Sequence, residues 1–238
     1  QPVADRLAES GQTPLLVPNG IDIRDTPPIP AAEIARLGDK IVGYVGNMND
    51  RFDFDLVESL SRSRPDYQIV LIGKLSHTKQ LARMQALPNV HVLGVRRYEM
   101  PRACIAAFDV AIVPHERSDL SDRMNPLKMY VFRSLGVRVV TTDIANLDDL
   151  RDEVAVASTT DNFIWAVDAA MQDRMARGPR PLPEALSRSL SWTARMDRIW
   201  PAIDQGLRDR FTGKDTGPGS NKDLGDIGAD FGLDFGKE

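Results

Sequence analysis

The sequence predicts an α/β fold: a doubly wound, Rossmann-like parallel sheet, followed by a C-terminal helix and a flexible tail. Three observations predict it. Short, continuous apolar runs such as IVGYV, IVLI and VAIV recur along the chain, and each is closed by Gly or Pro: Gly46, Gly73 and Pro114. The segments between them carry apolar residues at helical spacing. The 238 residues suffice for one domain of this kind with some length left over. Runs that are apolar at every position fit strands buried on both faces. Strands that alternate with helices imply βαβ units and a parallel sheet.

Taken in order, Leu15-Leu16-Val17 reads as a short strand stopped by Pro18-Asn19-Gly20. Asp25–Pro30 is rich in proline and reads as a linker. The alternation begins at Ile41–Val45, a buried strand ending at Gly46. Asp53–Ser63 is a helix with Phe54, Leu56, Val57 and Leu60 on its apolar face, and Asp53 is its natural N-cap. Gln68–Ile72 is the second strand, His77–Ala86 a helix, Val90–Leu93 a strand ending at Gly94. Glu99–Phe108 is helical, with Pro101 in the first turn where a missing N–H costs little. Asp109–Val113 is a strand ending at Pro114. Pro126–Leu135 is a helix closed by Gly136 at its C′ position. Val137–Thr141 and Val154–Ala157 are strands, and Asn162–Met175 is a helix. After a break at Pro179–Pro183, Ser191–Leu207 forms a last helix with Trp192, Met196, Ile199, Trp200 and Ile203 on one face, and Pro201 as a point of kinking. From Phe211 onward Gly and Asp dominate and periodicity vanishes, which predicts disorder.

Composition removes several function classes. The single cysteine, Cys104, excludes an internal disulfide and a thiolate metal cluster, and His77, His91 and His115 lack metal-ligand spacing. No run is long and apolar enough to span a bilayer. The net charge is −4, most of it in residues 211–238, and there is no basic stripe of the kind that binds nucleic acid. Asp53-Phe54-Asp55 has the D-x-D form of some metal sites, but aspartate at an N-cap and in a first turn stabilises a helix directly. Asp230-Phe231-Gly232 and Asp234-Phe235-Gly236 look like a kinase motif without the loops that would accompany it. Gly43-x-x-Gly46 is not the dinucleotide fingerprint.

In an open parallel sheet, ligands sit at the carboxyl ends of the strands. That rule nominates Gly46-Asn47, Gly73-Lys74, Gly94-Val95-Arg96 and Pro114-His115.

Four segments, in order, resemble one family. LLVPNGID (15–22) resembles the segment entering the second domain of family-1 and family-4 glycosyltransferases of the GT-B type. YVGNMNDRFDFDLV (44–57) resembles the first strand and loop of that domain, PNVHVLGVRRYEMPRACIAAFDVAIVP (88–114) its middle, and NPLKMYVFRSLGVRVVTT (125–142) the helix and strand that follow. The resemblance covers roughly residues 15–157. It implies the C-terminal, nucleotide-sugar-binding half of a glycosyltransferase. Residues 1–28 would be the end of a preceding domain and a linker, 29–178 the donor-binding domain, 179–210 a helical extension and 211–238 an acidic flexible tail.

The resemblance also implies a donor site for the nucleotide and diphosphate, built from Gly46, Asn47, Arg51, Lys74, Arg97, Tyr98, His115, Asn125, Lys128, Tyr130 and Val131. Lys128 stands in the first turn of a helix whose N-terminus faces the strand ends, where an anion is favoured. Arg51 precedes the first helix and serves the same end. Arg97 and Tyr98 follow the third strand, where family members hold the nucleobase. Tyr130 and Met129 would pack near base or ribose. The family pattern has Glu, bonded to ribose, where this chain has Val131, and a second Glu where it has Arg123.

No catalytic residue is assigned, because the acceptor site and any base would belong to an N-terminal domain. The implied substrate is a nucleotide sugar such as a UDP- or GDP-sugar, with no metal and no other cofactor. The implied acceptor is a glycan or a lipid-linked sugar, and the location cytoplasmic, at most peripheral to the inner membrane. Two further readings stand beside this one: a degenerate, non-catalytic GT-B binding module, and a nucleotide-sugar epimerase, which shares the fold.

Overall fold

A computed structural model describes residues 2–9, 11, 14–24, 26–96, 101–144 and 147–211. The chain divides into two compact units, Gln1–Arg195 and Met196–Glu238. In the first unit six strands are described: β1 Ile41–Val45, β2 Gln68–Ile72, β3 Val90–Gly94, β4 Val110–Val113, β5 Arg138–Thr142 and β6 Ala155–Ala157. They form one sheet in the order β3-β2-β1-β4-β5-β6, every described pairing parallel. The described helices are α1 Pro2–Glu9, α2 Ala32–Ala35, α3 Phe54–Ser63, α4 Thr78–Gln85, α5 Pro101–Ala106, α6 Asp119–Asp122, α7 Leu127–Ser134, α8 Thr160–Arg177, α9 Glu184–Ser189 and α10 Trp192–Phe211, with a 3-10 turn over Asp148–Glu153.

Alternation along the strands sorts the core into two layers. Val42 and Tyr44 of β1, Ile69 and Leu71 of β2, and Val110 and Ile112 of β4 pack with α3, α4 and α8. Ile41, Val70, Ile72, Ala111 and Val113, one residue out of phase, pack with α2, α5 and α7. Gly43 lies in the second phase. A Cβ there would stand 2.1 Å from the ring of Phe108, so the missing side chain of β1 is the space that Phe108 fills. Asp53 caps α3, its carboxylate accepting the Leu56 N–H at 2.8 Å, and Asp55 pairs with Arg83 at 2.6 Å. Both carboxylates of the D-x-D sequence are thus engaged in holding helices.

Several expectations change in detail. Leu15-Leu16-Val17 belongs to no strand and is exposed. It is flanked by Pro14 and Pro18, which lack the N–H that sheet pairing needs. Just beyond it the chain meets its neighbours: Ile21 bridges Ser191, and Asn19 O accepts from Arg195 at 3.3 Å. α8 starts at Thr160, two residues early, because Thr159 supplies the N-cap for Asn162 N–H. α10 runs through Pro201 as one helix. In the second unit, its residues Met196, Trp200, Ile203 and Leu207 are exposed. The expected flexible tail, 211–238, lies outside the described residues except for Phe211, which ends α10.

Candidate functional site: a cation cluster at the sheet switch point

The strand order reverses direction between β1 and β4, which is where open α/β sheets form their ligand crevice. The residues at those two strand ends are Gly46-Asn47 and Pro114-His115. Gly46 adopts φ +150°, a conformation natural to glycine. Its N–H donates to Ile72 O at 2.9 Å. A Cβ at Gly46 would stand 2.7 Å from Lys128 Nζ and 2.9 Å from the Tyr44 hydroxyl. The backbone passes that close because the side chains of α7 and β1 meet directly over it.

Lys128, in the first turn of α7, donates to the Tyr44 hydroxyl at 2.7 Å and lies 3.4 Å from His115 Nε2. Its ammonium also stands 4.3 Å from the centre of the Tyr44 ring. Tyr44 passes the bond on, donating to Asn47 O at 3.0 Å. His115 is 3% exposed, and its Nδ1 has no partner among the described residues. An isolated bridge between His115 and Phe52 draws the β1–α3 loop across, and Glu116 N–H donates to Arg51 O at 2.8 Å. This brings Arg51 to the same place, its guanidinium against Met124 Sδ.

Three titration shifts follow from the arrangement. Burial, then the charge of Arg51, pushes Lys128 down to about 7. Burial, then Lys128 and Arg51, pushes His115 down to about 3, so the imidazole is neutral at any physiological pH. Burial raises the Tyr44 phenol well above its usual range. Among the described residues neither Lys128 nor Arg51 has a carboxylate within ion-pair distance. Two cations converge at a strand edge with no carboxylate partner among the described residues. Groups so arranged are costly unless a ligand supplies the negative charge.

No known family model matches the chain. TuaH of Bacillus subtilis (strain 168), a protein named provisionally as a glycosyltransferase of teichuronic acid biosynthesis, is 21% identical over 165 residues, which are 67% of this chain and 42% of TuaH. Among solved structures, HepE of Anabaena in complex with UDP superposes with a TM-score of 0.63 at 13% identity, over 85% of this chain and 61% of HepE. HepE with UDP-glucose gives 0.59 at 14% identity, over 80% and 57%. The apo form of the lipopolysaccharide outer core galactosyltransferase WaaB gives 0.58 at 14% identity, over 86% and 60%. The fold is that of the GT-B glycosyltransferases. The chain spans less than half of TuaH and less than two thirds of each of these structures.

Within the GT-B domain, the sequence-predicted residues separate into groups. Gly46, Asn47, Arg51, His115 and Lys128 come together as described. Asn125 and Tyr130 are held in a separate bond network that ties the start of α7 to Asn19. Asn125 Nδ2 donates to the Tyr130 hydroxyl at 3.1 Å, while its Oδ1 and backbone carbonyl accept from Asn19 at 2.9 and 2.6 Å. Tyr130 and Met129 are fully buried and therefore offer no surface to a base or ribose. Val131 packs its side chain against the α2/α5/α7 layer. Lys74 is exposed at the end of β2, its carbonyl accepting Met48 N–H at 2.9 Å. Arg97 and Tyr98 lie outside the described residues.

The residue that sequence reasoning missed is Tyr44. In a continuous apolar strand a tyrosine reads as core, and its ring is indeed fully buried. Only the hydroxyl, emerging where the strand ends, reaches the site.

Two grooves flank the cluster on the α3/α4/α8 side. One, of about 630 Å³, lies between the β1–α3 loop and the start of α4 and is crossed by an Asp50–His77 pair at 3.1 Å. The other, of about 360 Å³, lies between the ends of β5 and β6 and the start of α8. Glu116 lines both. Among the described residues no helix is long and apolar enough to cross a membrane, and no group of three His, Cys, Asp or Glu is arranged to hold a metal ion.

Proposed function

We propose that this GT-B domain binds the nucleotide and diphosphate of a nucleotide-sugar donor, as the donor-binding part of a glycosyltransferase. The observation that carries the reading is the pair Lys128 and Arg51, brought together at the β1/β4 switch point with no carboxylate partner among the described residues. A diphosphate supplies the missing negative charge. Likeness of fold to HepE, solved with UDP and with UDP-glucose, supports the same ligand class.

The chemistry follows from the charges. When the glycosidic bond to the diphosphate breaks, negative charge grows on the leaving oxygens. Fixed positive groups at that position lower the barrier by electrostatic stabilisation. Lys128 and Arg51, with the backbone N–H groups that open α7, supply such groups, so the reaction proceeds without a bound metal. The neutral His115 adds a hydrogen-bonding wall and no competing charge. The acceptor, a glycan or lipid-linked sugar at the cytoplasmic side of a membrane, would be held by a further domain. The name of TuaH favours a surface polymer.

A second reading is a module that binds nucleotide without transferring sugar. Val131 favours it, because its side chain is apolar and packs, partly buried, against the core, so it has no group to bond ribose hydroxyls. Isothermal titration with UDP, GDP and their sugars, with and without Mg²⁺, tests the proposal. Metal-independent binding of one nucleotide is expected. Binding of none overturns it.

A further inference from the structure

We propose that Tyr44 is a positioning residue of this site: its hydroxyl holds the Lys128 ammonium at the end of β1 and ties it to the Gly46–Asn47 turn, so that one N–H is left aimed at a ligand oxygen. The inference rests on the donor-site reading above and adds a residue to it.

Lys128 begins on α7, in the helical layer of one sheet face, while Tyr44 stands in the layer of the other face. They meet over the strand ends, and the contact between them is what carries the cation across. An ammonium has three N–H donors. One goes to the Tyr44 hydroxyl at 2.7 Å and a second, longer, to His115 Nε2 at 3.4 Å. The third has no acceptor among the described residues. The Tyr44 hydroxyl donates its own proton to Asn47 O at 3.0 Å, so towards Lys128 it is an acceptor and favours the charged form.

The ring cannot swing away. It is fully buried, packed edge-on to Phe52 with centroids 4.8 Å apart and to His115 at 6.5 Å. A lysine on an exposed helix start would otherwise sample many rotamers. Here the tyrosine selects one. The groups that face Lys128 are Tyr44 from β1, His115 after β4 and Arg51 from the β1–α3 loop. Of these only Arg51 is charged, and it repels the ammonium. The tyrosine hydroxyl is therefore the main protein contact that keeps the cation in place.

Tyr44→Phe removes the hydroxyl and keeps the ring, so the core stays filled. Two readouts test it. With UDP, the variant should bind about tenfold more weakly than the wild type, and the pH above which binding weakens should move down. Unchanged affinity with an unchanged pH profile overturns the proposal. Without any nucleotide, the Cε resonance of Lys128 in ¹³C-lysine protein, assigned by its loss in Lys128→Arg, reports the same contact. Its titration midpoint should fall in Tyr44→Phe. A midpoint equal to that of the wild type overturns the proposal, whether or not UDP binds. Failure of the wild type to bind UDP, with the midpoint shifted, instead rejects the donor reading and leaves Tyr44 in its role.

Discussion

Replacing Lys128 with methionine should move stability and binding in opposite directions. Among the described residues this ammonium has no counter-ion, and burial with Arg51 pushes its pKa down to about 7. The unfolded chain holds an ordinary lysine near ~10.4. Below about 7 the group is protonated in both states, and the folded protein carries the whole cost of the buried charge. Between about 7 and ~10.4 the unfolded chain keeps a proton that the folded chain has released, so stability rises with pH through that window. At about 1.4 kcal/mol per tenfold, the cost is a few kcal/mol, reduced because the side chain is only part-buried.

Lys128→Met has similar length and no charge to desolvate. It should be more stable than the wild type at pH 6 by roughly 1–3 kcal/mol, with the advantage shrinking by pH 10. For UDP the same change removes charge-assisted bonds worth roughly 1.5–3 kcal/mol, or ten- to a hundredfold in Kd. Urea denaturation at pH 6 and pH 10, with titration calorimetry at pH 7, reads both effects. A variant less stable than the wild type at pH 6, or one that binds UDP unchanged, refutes the reasoning.

Three other outcomes follow from the same geometry. Gly46→Ala places a Cβ 2.7 Å from Lys128 Nζ at φ +150°, so UDP affinity should fall by roughly tenfold or more, with Tm lowered modestly; calorimetry and a thermal melt read both. UDP affinity of the wild type should weaken as pH rises through about 7, where Lys128 loses its charge, and a profile flat from pH 6.5 to 8.5 contradicts this. Arg133→Ala should cost roughly 3–5 kcal/mol of stability, since it strips the partner from Glu153 at 2.8 Å and empties a space that is 1% exposed, while UDP binding at pH 7 stays as it was. Urea denaturation measures the loss.

The sheet was largely legible before the structure. IVGYV, IVLI and VAIV carry no charged or amide side chain because both faces are covered, and the residues that close them mark the ligand edge. Lys128 was legible too, because a Pro at the helix boundary fixes where α7 starts and so which side chain stands in its first turn. Leu15–Val17 misled because an apolar run becomes a strand only if it finds a neighbour, and prolines on either side remove the donors that a neighbour would need. The short helices α2, α6 and α9 are below the length at which a 3.6-residue period can be read. The brace between Asn19 and Asn125 joins residues 106 apart, which no local pattern reveals. Tyr44 was hidden for the reason that makes it useful: its ring belongs to the core and its hydroxyl to the site.

The central claim is that the anion site at the β1/β4 switch point, and not the larger groove beside α4, receives the nucleotide diphosphate. Amide chemical-shift mapping of the ¹⁵N-labelled chain during a UDP titration tests it most directly. The account predicts the largest shifts at Gly46, Asn47, His115 and Lys128. Shifts confined to Asn49, Asp50 and residues 76–80, with Lys128 and His115 unmoved, would contradict it.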